Sequence, residues 1–271
     1  MVTRKPRADR HDGPGVAYAA TLVRGLSVLR CFDQSNGDLG VSDIVRITKI
    51  PQPTVWRLCR TLEAEGFLVA DESGTRFRPG LAVLGLGFAA LGAMGLPEFA
   101  RPDLARIAAD FHSVAGLAVP EGLQMRYIQR QQAPDAVLTF NIRLGRTLPV
   151  SISSSGWAYL AALDDKTRAA TVRKLAREQT TLWNRAEADF EIALKAFRQT
   201  GIMVNVDTFY PGLTSVAVPI VSPRTNAVYA VYCTGLSSIL TRKVVANELG
   251  RRLGDLAATL HAAMSVNPAL E

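Results

Sequence analysis

Pro53, Trp56, Arg57 and Arg60 recur at three- and four-residue spacing, which is one stripe of a helix. A second stripe, Val55, Leu58, Cys59 and Leu62, lies nearly opposite it. The apolar stripe suits a small core. The other carries two guanidinium groups and an indole that such a core does not need. A guanidinium bonds guanine bidentately or neutralises a phosphate, Gln prefers adenine, and Thr offers a methyl to thymine or a hydroxyl to phosphate. The expected chemistry is contact with double-stranded DNA. Gln52, Pro53, Thr54, Trp56 and Arg57 stand at the N-terminal end of the helix, with Arg57 toward a base and Arg60, one turn deeper, toward a phosphate. Arg76 and Arg78 alternate with Phe77, which turns Phe77 inward and both cations outward.

Other reactive side chains form weaker patterns. The serine run 153–155 has no nearby base and no GxSxG setting, and no GxxxxGK[ST] loop is present. At a helix start its hydroxyls and N–H groups are more simply capping or anion-binding groups. His11, His112 and His261 are widely separated. Cys31, Cys59 and Cys233 are odd in number and form no CxxC pair, which supports neither a disulfide framework nor a zinc site. No cofactor or metal is expected, and the chain reads as no enzyme. A serine-based enzyme and a winged helix that binds protein rather than DNA stay open as rivals.

The elements that position these residues follow from periodicity and breaks. Residues 20–33 read as a first helix, with Leu22, Leu26 and Leu29 on its apolar face beside Val23 and Cys31. Ser42 is the expected N-cap of a short second helix burying Ile44, Val45 and Ile47. "IPQP" breaks the chain, and Pro53 opens the third helix, which runs to about Ala64. "FLVA" and "TRFRP" flank "DESG", a hairpin signal. Three short helices and a hairpin make a winged helix-turn-helix, whose third helix enters the major groove by its N-terminal residues.

Residues 81–96, "LAVLGLGFAALGAMGL", carry no charge. The run falls short of the ~20 residues that span a bilayer. Leu81, Leu84, Phe88 and Leu91 repeat like a helix-pairing seam, so a helix buried between subunits is preferred to a membrane span. Beyond it come a helix to about His112 and strands at "SVAGLAVP", "MRYIQRQ" and "AVLTFNI". A strand end then runs through the serines into a helix. Two helices (164–178, 186–200), three strands ("GIMVNVD", "LTSVAVPIV", "AVYAVYCTG") and a closing helix (241–264) complete the pattern. This is an α+β domain on a largely antiparallel sheet.

The net charge of +7 permits an anionic partner but is not concentrated: residues 1–80 hold 12 Lys and Arg against 9 Asp and Glu, and the rest 19 against 15. The N-terminal segment is polar, basic and aperiodic, with no signal-peptide core. It is read as a disordered tail of a cytoplasmic protein. The expected division is a tail (1–19), a winged helix-turn-helix (20–80), a linker helix (81–97), an effector domain (98–265) and a tail (266–271).

In this order the chain resembles the IclR family of bacterial transcriptional regulators over about residues 20–265. The resemblance is carried by "LVRGLSVLRCF", "VSDIVRITKIPQPTVWRLCRTLEAEGFL", "GRTLPVSISSSGWAYLAAL", "GIMVNVDTFYPGLTSVAVPI" and "AVYAVYCTGLSSILT". It implies a winged helix joined by a dimerising linker helix to a GAF-like effector-binding domain with a central antiparallel sheet. It also implies homodimers or homotetramers, pseudo-palindromic operators, and small organic acids or aromatic metabolites as effectors. The family's effector pocket maps onto Ser154, Ser155, Asn205, Leu213, Ser215, Tyr232 and Thr234, with Phe140 closing the apolar side. The chain departs from the family pattern here. Small residues become Ser154 and Ser155, an acid becomes Asn205, a cysteine becomes Ser215, a small polar residue becomes Tyr232, and a usual His and Lys become Ser151 and Trp157. Asn205 is expected to donate to an effector carboxylate without the repulsion of an acid. Tyr232 either offers its hydroxyl to an oxygenated ligand or fills the pocket.

Overall fold

The computed structural model describes residues 19–33, 35, 37–92, 95–136 and 144–270. The chain divides into two compact units, Met1–Ala90 and Leu91–Glu271.

In the first unit α1 (Ala20–Arg30) continues into a 3₁₀ turn, Cys31–Asp33. Its inner face differs from the expected one. Leu22 and Leu26 are 62% and 47% exposed, whereas Gly25, Val28, Cys31 and Phe32 are buried. Gly25 lies on that inner face: a Cβ built there would meet the Leu58 side chain at 3.8 Å, an ordinary contact distance. The second helix, α2 (Val41–Thr48), is capped by Gly40 rather than Ser42, and the Asp43 carboxylate accepts the Gly40 N–H at 3.2 Å. Of its expected inner residues Ile44 is fully buried, Val45 partly, and Ile47 is exposed. Lys49 ends α2 in the left-handed region (φ 61°). The buried Thr48 hydroxyl donates to Ile44 O at 2.8 Å and accepts from Ile50 N–H at 3.3 Å, which fixes the turn into the third helix.

That helix, α3 (Gln52–Ala64), has Pro53 in its first turn and buries Val55, Leu58 and Cys59, as the stripe requires. Its last residues lead through Gly66 (φ 75°) into the wing. The wing is a three-stranded antiparallel sheet in the order β1 (Leu39–Gly40), β3 (Arg76–Pro79), β2 (Leu68–Ala70). The two-residue β1 is too short to register as a pattern. Phe77 pairs with Leu39 on one side and Ala70 on the other and is fully buried. The Asp71 carboxylate accepts the N–H groups of Arg76 and Thr75 at 3.1 Å, closing the turn, and the bonds from Arg76 N–H and the Ser73 hydroxyl do most to hold it below the usual carboxylate range. The charge-free helix α4 (Leu81–Gly92) starts from the base of the hairpin, where Gly80 N–H donates to Phe67 O at 2.9 Å.

The second unit opens with α5 (Gly95–Asp110), whose residues Leu96 and Pro97 are already buried, so its core begins before residue 98. The sheet is wholly antiparallel. Its order is β6 (Thr147–Pro149), β5 (Gln124–Gln132), β4 (Val114–Glu121), β9 (Val228–Leu236), β8 (Leu213–Val221), β7 (Met203–Val206). Side chains alternate between its faces. One face, with Leu117, Val216 and Val231, packs against α5 and α10 (Gly250–Val266). The other, with Ala118, Met203 and Ala217, packs against α6 (Ser154–Ala162), α7 (Asp165–Glu178) and α8 (Thr180–Thr200). The expected closing helix is interrupted: a short α9 (Arg242–Val244) passes through a π-helical turn, Val245–Leu249, into α10. Pro268–Leu270 then make a turn whose Leu270 is buried in the α5/α10 core, so this segment is packed rather than a tail. From residue 137 on, the strand expected at "AVLTFNI" lies outside the described residues, as does the N-terminal segment to residue 18. All three cysteines are free and buried, and burial pushes their thiols up to about 11, 11 and 12 for Cys31, Cys59 and Cys233.

Candidate nucleic-acid interface and effector site

On α3 the burial of Val55, Leu58 and Cys59 turns the other stripe outward. Gln52, Pro53, Trp56, Arg57 and Arg60 are exposed and Thr54 is half-buried. Trp56 rests edge-on against Phe77, ring centroids 6.3 Å apart, and so ties the helix to the wing. Arg60 lies over the Trp56 ring at 5.8 Å and pairs with Glu63 at 2.6 Å. The Arg57 guanidinium is exposed and has no ion-pair or hydrogen-bond partner among the described residues. Arg76 and Arg78 face outward on β3, and Arg76 donates to Asp38 O at 2.6 Å.

A concavity of about 600 Å³ joins these elements, lined by the start of α2 (Gly40, Val41, Ser42), the start of α3 (Gln52, Pro53, Trp56) and Thr75 and Arg76 of the wing. Ser42 and Thr75 were not among the sequence candidates. In the sequence Ser42 was read as the cap of the second helix and Thr75 as the first residue of the wing strand, so neither stood out as a contact residue. The arrangement offers hydroxyls, a helix N-terminus and a cation around an indole floor, a surface suited to phosphate oxygens.

In the second unit the chain before α6 is tightly fixed. Ser153 is the N-cap, its hydroxyl accepting Gly156 N–H at 3.1 Å. Trp157 Nε1–H donates to Ser151 O at 2.8 Å, and the Ser151 hydroxyl donates to Gln179 Oε1 at 2.6 Å. Ser151 and Trp157 are thus scaffold. Of the expected site residues, Ser154, Ser215 and Thr234 meet through their hydroxyls, and Ser155 lies near Tyr232 by way of Tyr127. The Ser154 and Ser215 hydroxyls are 2.6 Å apart, and those of Ser215 and Thr234 also 2.6 Å. The Ser155 hydroxyl lies 3.4 Å from that of Tyr127. Tyr127 and Tyr232 meet edge to face at 4.8 Å. Tyr127 was seen in the sequence only as a strand residue. Burial pushes its phenol up to about 12, and burial followed by the adjacent Tyr127 pushes Tyr232 well above the ordinary tyrosine value. Both phenols are neutral at physiological pH and act as uncharged hydrogen-bonding groups. The Tyr232 hydroxyl is buried with no hydrogen-bond partner among the described residues.

Asn205 departs from its expected role. It is fully buried opposite Ser215, its Nδ2 donates to Ile152 O at 3.0 Å, and its Oδ1 accepts Phe209 N–H at 3.4 Å. It joins β7 to the chain before α6 and to the loop that follows β7, and the structure gives it a framework role. Leu213 is buried at the start of β8, two residues before Ser215 and opposite Leu236. Phe140 lies outside the described residues.

Such a winged helix followed by a sheet domain with a buried polar site defines a ligand-sensing DNA-binding regulator. The description "Bacterial transcriptional regulator IclR C-terminal" matches residues 88–262, and "IclR helix-turn-helix domain" matches residues 21–72. The chain is 31% identical over 206 residues to the Pca regulon regulatory protein of Pseudomonas putida, covering 75% of this chain and 69% of that protein. It is similar to an IclR family transcriptional regulator from Brucella abortus, with 29% identity, a TM-score of 0.81, and coverage of 91% of this chain and 93% of the other. An IclR homologue from Microbacterium hydrocarbonoxydans, complexed with 4-hydroxybenzoate, has the same fold at 21% identity and a TM-score of 0.72, over 92% of this chain and 100% of that one. The chain belongs to the IclR family. It is a DNA-binding transcriptional regulator with a C-terminal effector-binding domain.

Proposed function

We propose that the protein binds a pseudo-palindromic operator through α3 as a homodimer or homotetramer, in the cytoplasm and without catalysis. Arg57 reads a base, while Arg60, Arg76 and Arg78 meet phosphates. The observation that carries this reading is the outward stripe of α3, where Arg57 is unpaired while Arg60 is held in place by Trp56 and Glu63. The occupant of the exposed apolar face of α4 is a second copy of this chain. Leu81, Leu84, Leu86 and Phe88 are all exposed in one chain, and no charge interrupts them. No single helix among the described residues is long and apolar enough to cross a membrane.

The effector is a small organic acid, aromatic acids included, held beside Ser154, Ser155, Ser215, Tyr232 and Thr234. The 4-hydroxybenzoate bound by a protein of the same fold supports this class. Against a nucleophilic role for the serine run, Ser153 caps α6, the Ser154 hydroxyl lies 2.6 Å from that of Ser215, and the Ser155 hydroxyl lies 3.4 Å from that of Tyr127. A second reading, regulation without an effector, is favoured by the packing of Tyr232 against Tyr127. Operator selection from fragmented genomic DNA, followed by titration of the selected duplex with and without candidate acids, separates the two. An acid-dependent shift in affinity supports sensing. Binding that no acid alters supports the filled site. Affinity for the selected duplex no greater than for random duplex overturns the DNA reading.

A further inference from the structure

The hydroxyl end of the effector site is neutral and largely self-satisfied. Ser154, Ser215 and Thr234 are linked to one another at 2.6 Å, and Asn205 is engaged by Ile152 and Phe209. A buried carboxylate needs both hydrogen bonds and a compensating charge. The strand register places such a charge nearby. On β9 Tyr232 stands opposite Gly116 of β4, and Gly116 stands opposite Arg130 of β5. Residues directly opposite in antiparallel strands share a face, so Tyr232, Gly116 and Arg130 form one row on the α6 side of the sheet. Gly116 leaves the gap that the tyrosine uses: a Cβ built there would lie 2.6 Å from the Tyr232 hydroxyl. That hydroxyl therefore reaches across β4 toward β5. Arg130 acts on Tyr232 electrostatically, opposing the upward push of burial. The arginine is half-buried and donates to Gln132 Oε1 at 2.6 Å, which steadies one edge of its guanidinium. Tyr232 is only 3% exposed, and its hydroxyl has no hydrogen-bond partner among the described residues.

We propose that Tyr232 and Arg130, brought together across Gly116, form an anion-selective subsite that takes the carboxylate of the effector. The inference rests on the effector reading and adds its specificity: the phenol donates to one carboxylate oxygen and the guanidinium supplies the counter-charge. The hydroxyls of Ser154, Ser215 and Thr234 then face the uncharged remainder of the ligand.

The test uses the full chain, with benzoate, 4-hydroxybenzoate and phenylacetate set beside their primary amides, read by thermal shift and calorimetry. The expected result is that at least one acid binds and its amide binds much more weakly. Arg130→Gln should cost that acid at least about 30-fold in affinity, as loss of a buried charge partner does. Arg130→Lys should retain much of the preference for acid over amide. Tyr232→Phe, which keeps the ring, should cost about tenfold. Equal binding of an acid and its amide overturns the subsite and leaves the effector reading standing, and so does acid affinity unchanged in Arg130→Gln. If Arg130→Gln does not fold, loss of the acid preference in Arg130→Lys overturns the subsite. Failure of every acid and every amide to bind overturns the subsite together with the aromatic-acid reading.

Discussion

At the residue scale the two arginines of α3 separate by their surroundings. Arg57 extends from an exposed position with its hydrogen-bonding edge available, whereas Arg60 is stacked on Trp56 and paired with Glu63. A base contact requires a free, directional fork. A phosphate contact requires only a cation near the backbone. Arg57→Ala is expected to weaken operator binding by about 1–3 kcal/mol and to relax preference at one base pair per half-site. Arg60→Ala should weaken all duplexes nearly equally and flatten the salt dependence. Titration of selected and point-substituted duplexes at two salt concentrations distinguishes them, and an Arg57→Ala protein with unaltered base preference would refute the assignment. Asn205 makes the opposite kind of prediction. Because its Nδ2 donates to Ile152 O inside the fold, Asn205→Asp would set a carboxylate against a carbonyl in a buried place. The expected cost is about 2–5 kcal/mol of stability, seen as a lower denaturant midpoint without any ligand. An unchanged midpoint would return Asn205 to the ligand.

At the element scale the turn between α2 and α3 holds a lysine in the left-handed region, Lys49 at φ 61°. A Cβ is unfavourable there, and glycine is not. Lys49→Gly is expected to be neutral to stabilising by about 1 kcal/mol, where glycine inside a helix would cost that much. Urea denaturation of the winged-helix unit measures it, and a clear loss of stability would mean that the Lys49 side chain does more than tolerate the turn. The α3 stripes were legible in the sequence because both follow helical spacing and Pro53 marks the start. The sheet of the second unit was legible in another way: its central strands are short apolar runs buried on both faces, and "PEGLQ" and "SPRTN" mark two of its hairpin turns. The inner face of α1 was not. The spacing of Leu22, Leu26 and Leu29 suggested one face, but the helix buries Gly25 and Val28, and a glycine gives no hydrophobic signal to read. The cap of α2 was misread by two residues, because Gly40 caps through its backbone and Asp43 supplies the carboxylate. Tyr127 and Arg130 escaped because facing Tyr232 depends on the irregular register between β4 and β5 at Leu117/Ala118, which no local pattern records.

At the scale of the whole molecule, an effector alters DNA binding only through its different affinity for the states that do and do not bind DNA. Such couplings run at about 1–3 kcal/mol, a 5- to 150-fold change in operator affinity, and by linkage operator DNA changes effector affinity by the same factor. Calorimetry of the acid with and without saturating operator tests this reciprocity, and equal acid affinities in the two titrations would exclude coupling. Assembly raises DNA affinity in another way, by holding two α3 helices for two half-sites, so the second contact forms at high effective concentration. The seam proposed for this is α4. In one chain its Leu81 is 83% exposed, and Leu84, Leu86 and Phe88 are also open, an arrangement that water disfavours unless another apolar surface covers it. A glutamate on that surface would be buried without a partner in the dimer and harmless in the monomer. Leu84→Glu is therefore expected to leave the fold and the acid affinity of each chain intact, to sediment as a smaller species, and to lose about 10²-fold or more in operator affinity. A Leu84→Glu protein that sediments like the parent would remove α4 from the interface. One that becomes smaller yet binds the operator undiminished would show that a single α3 suffices for recognition.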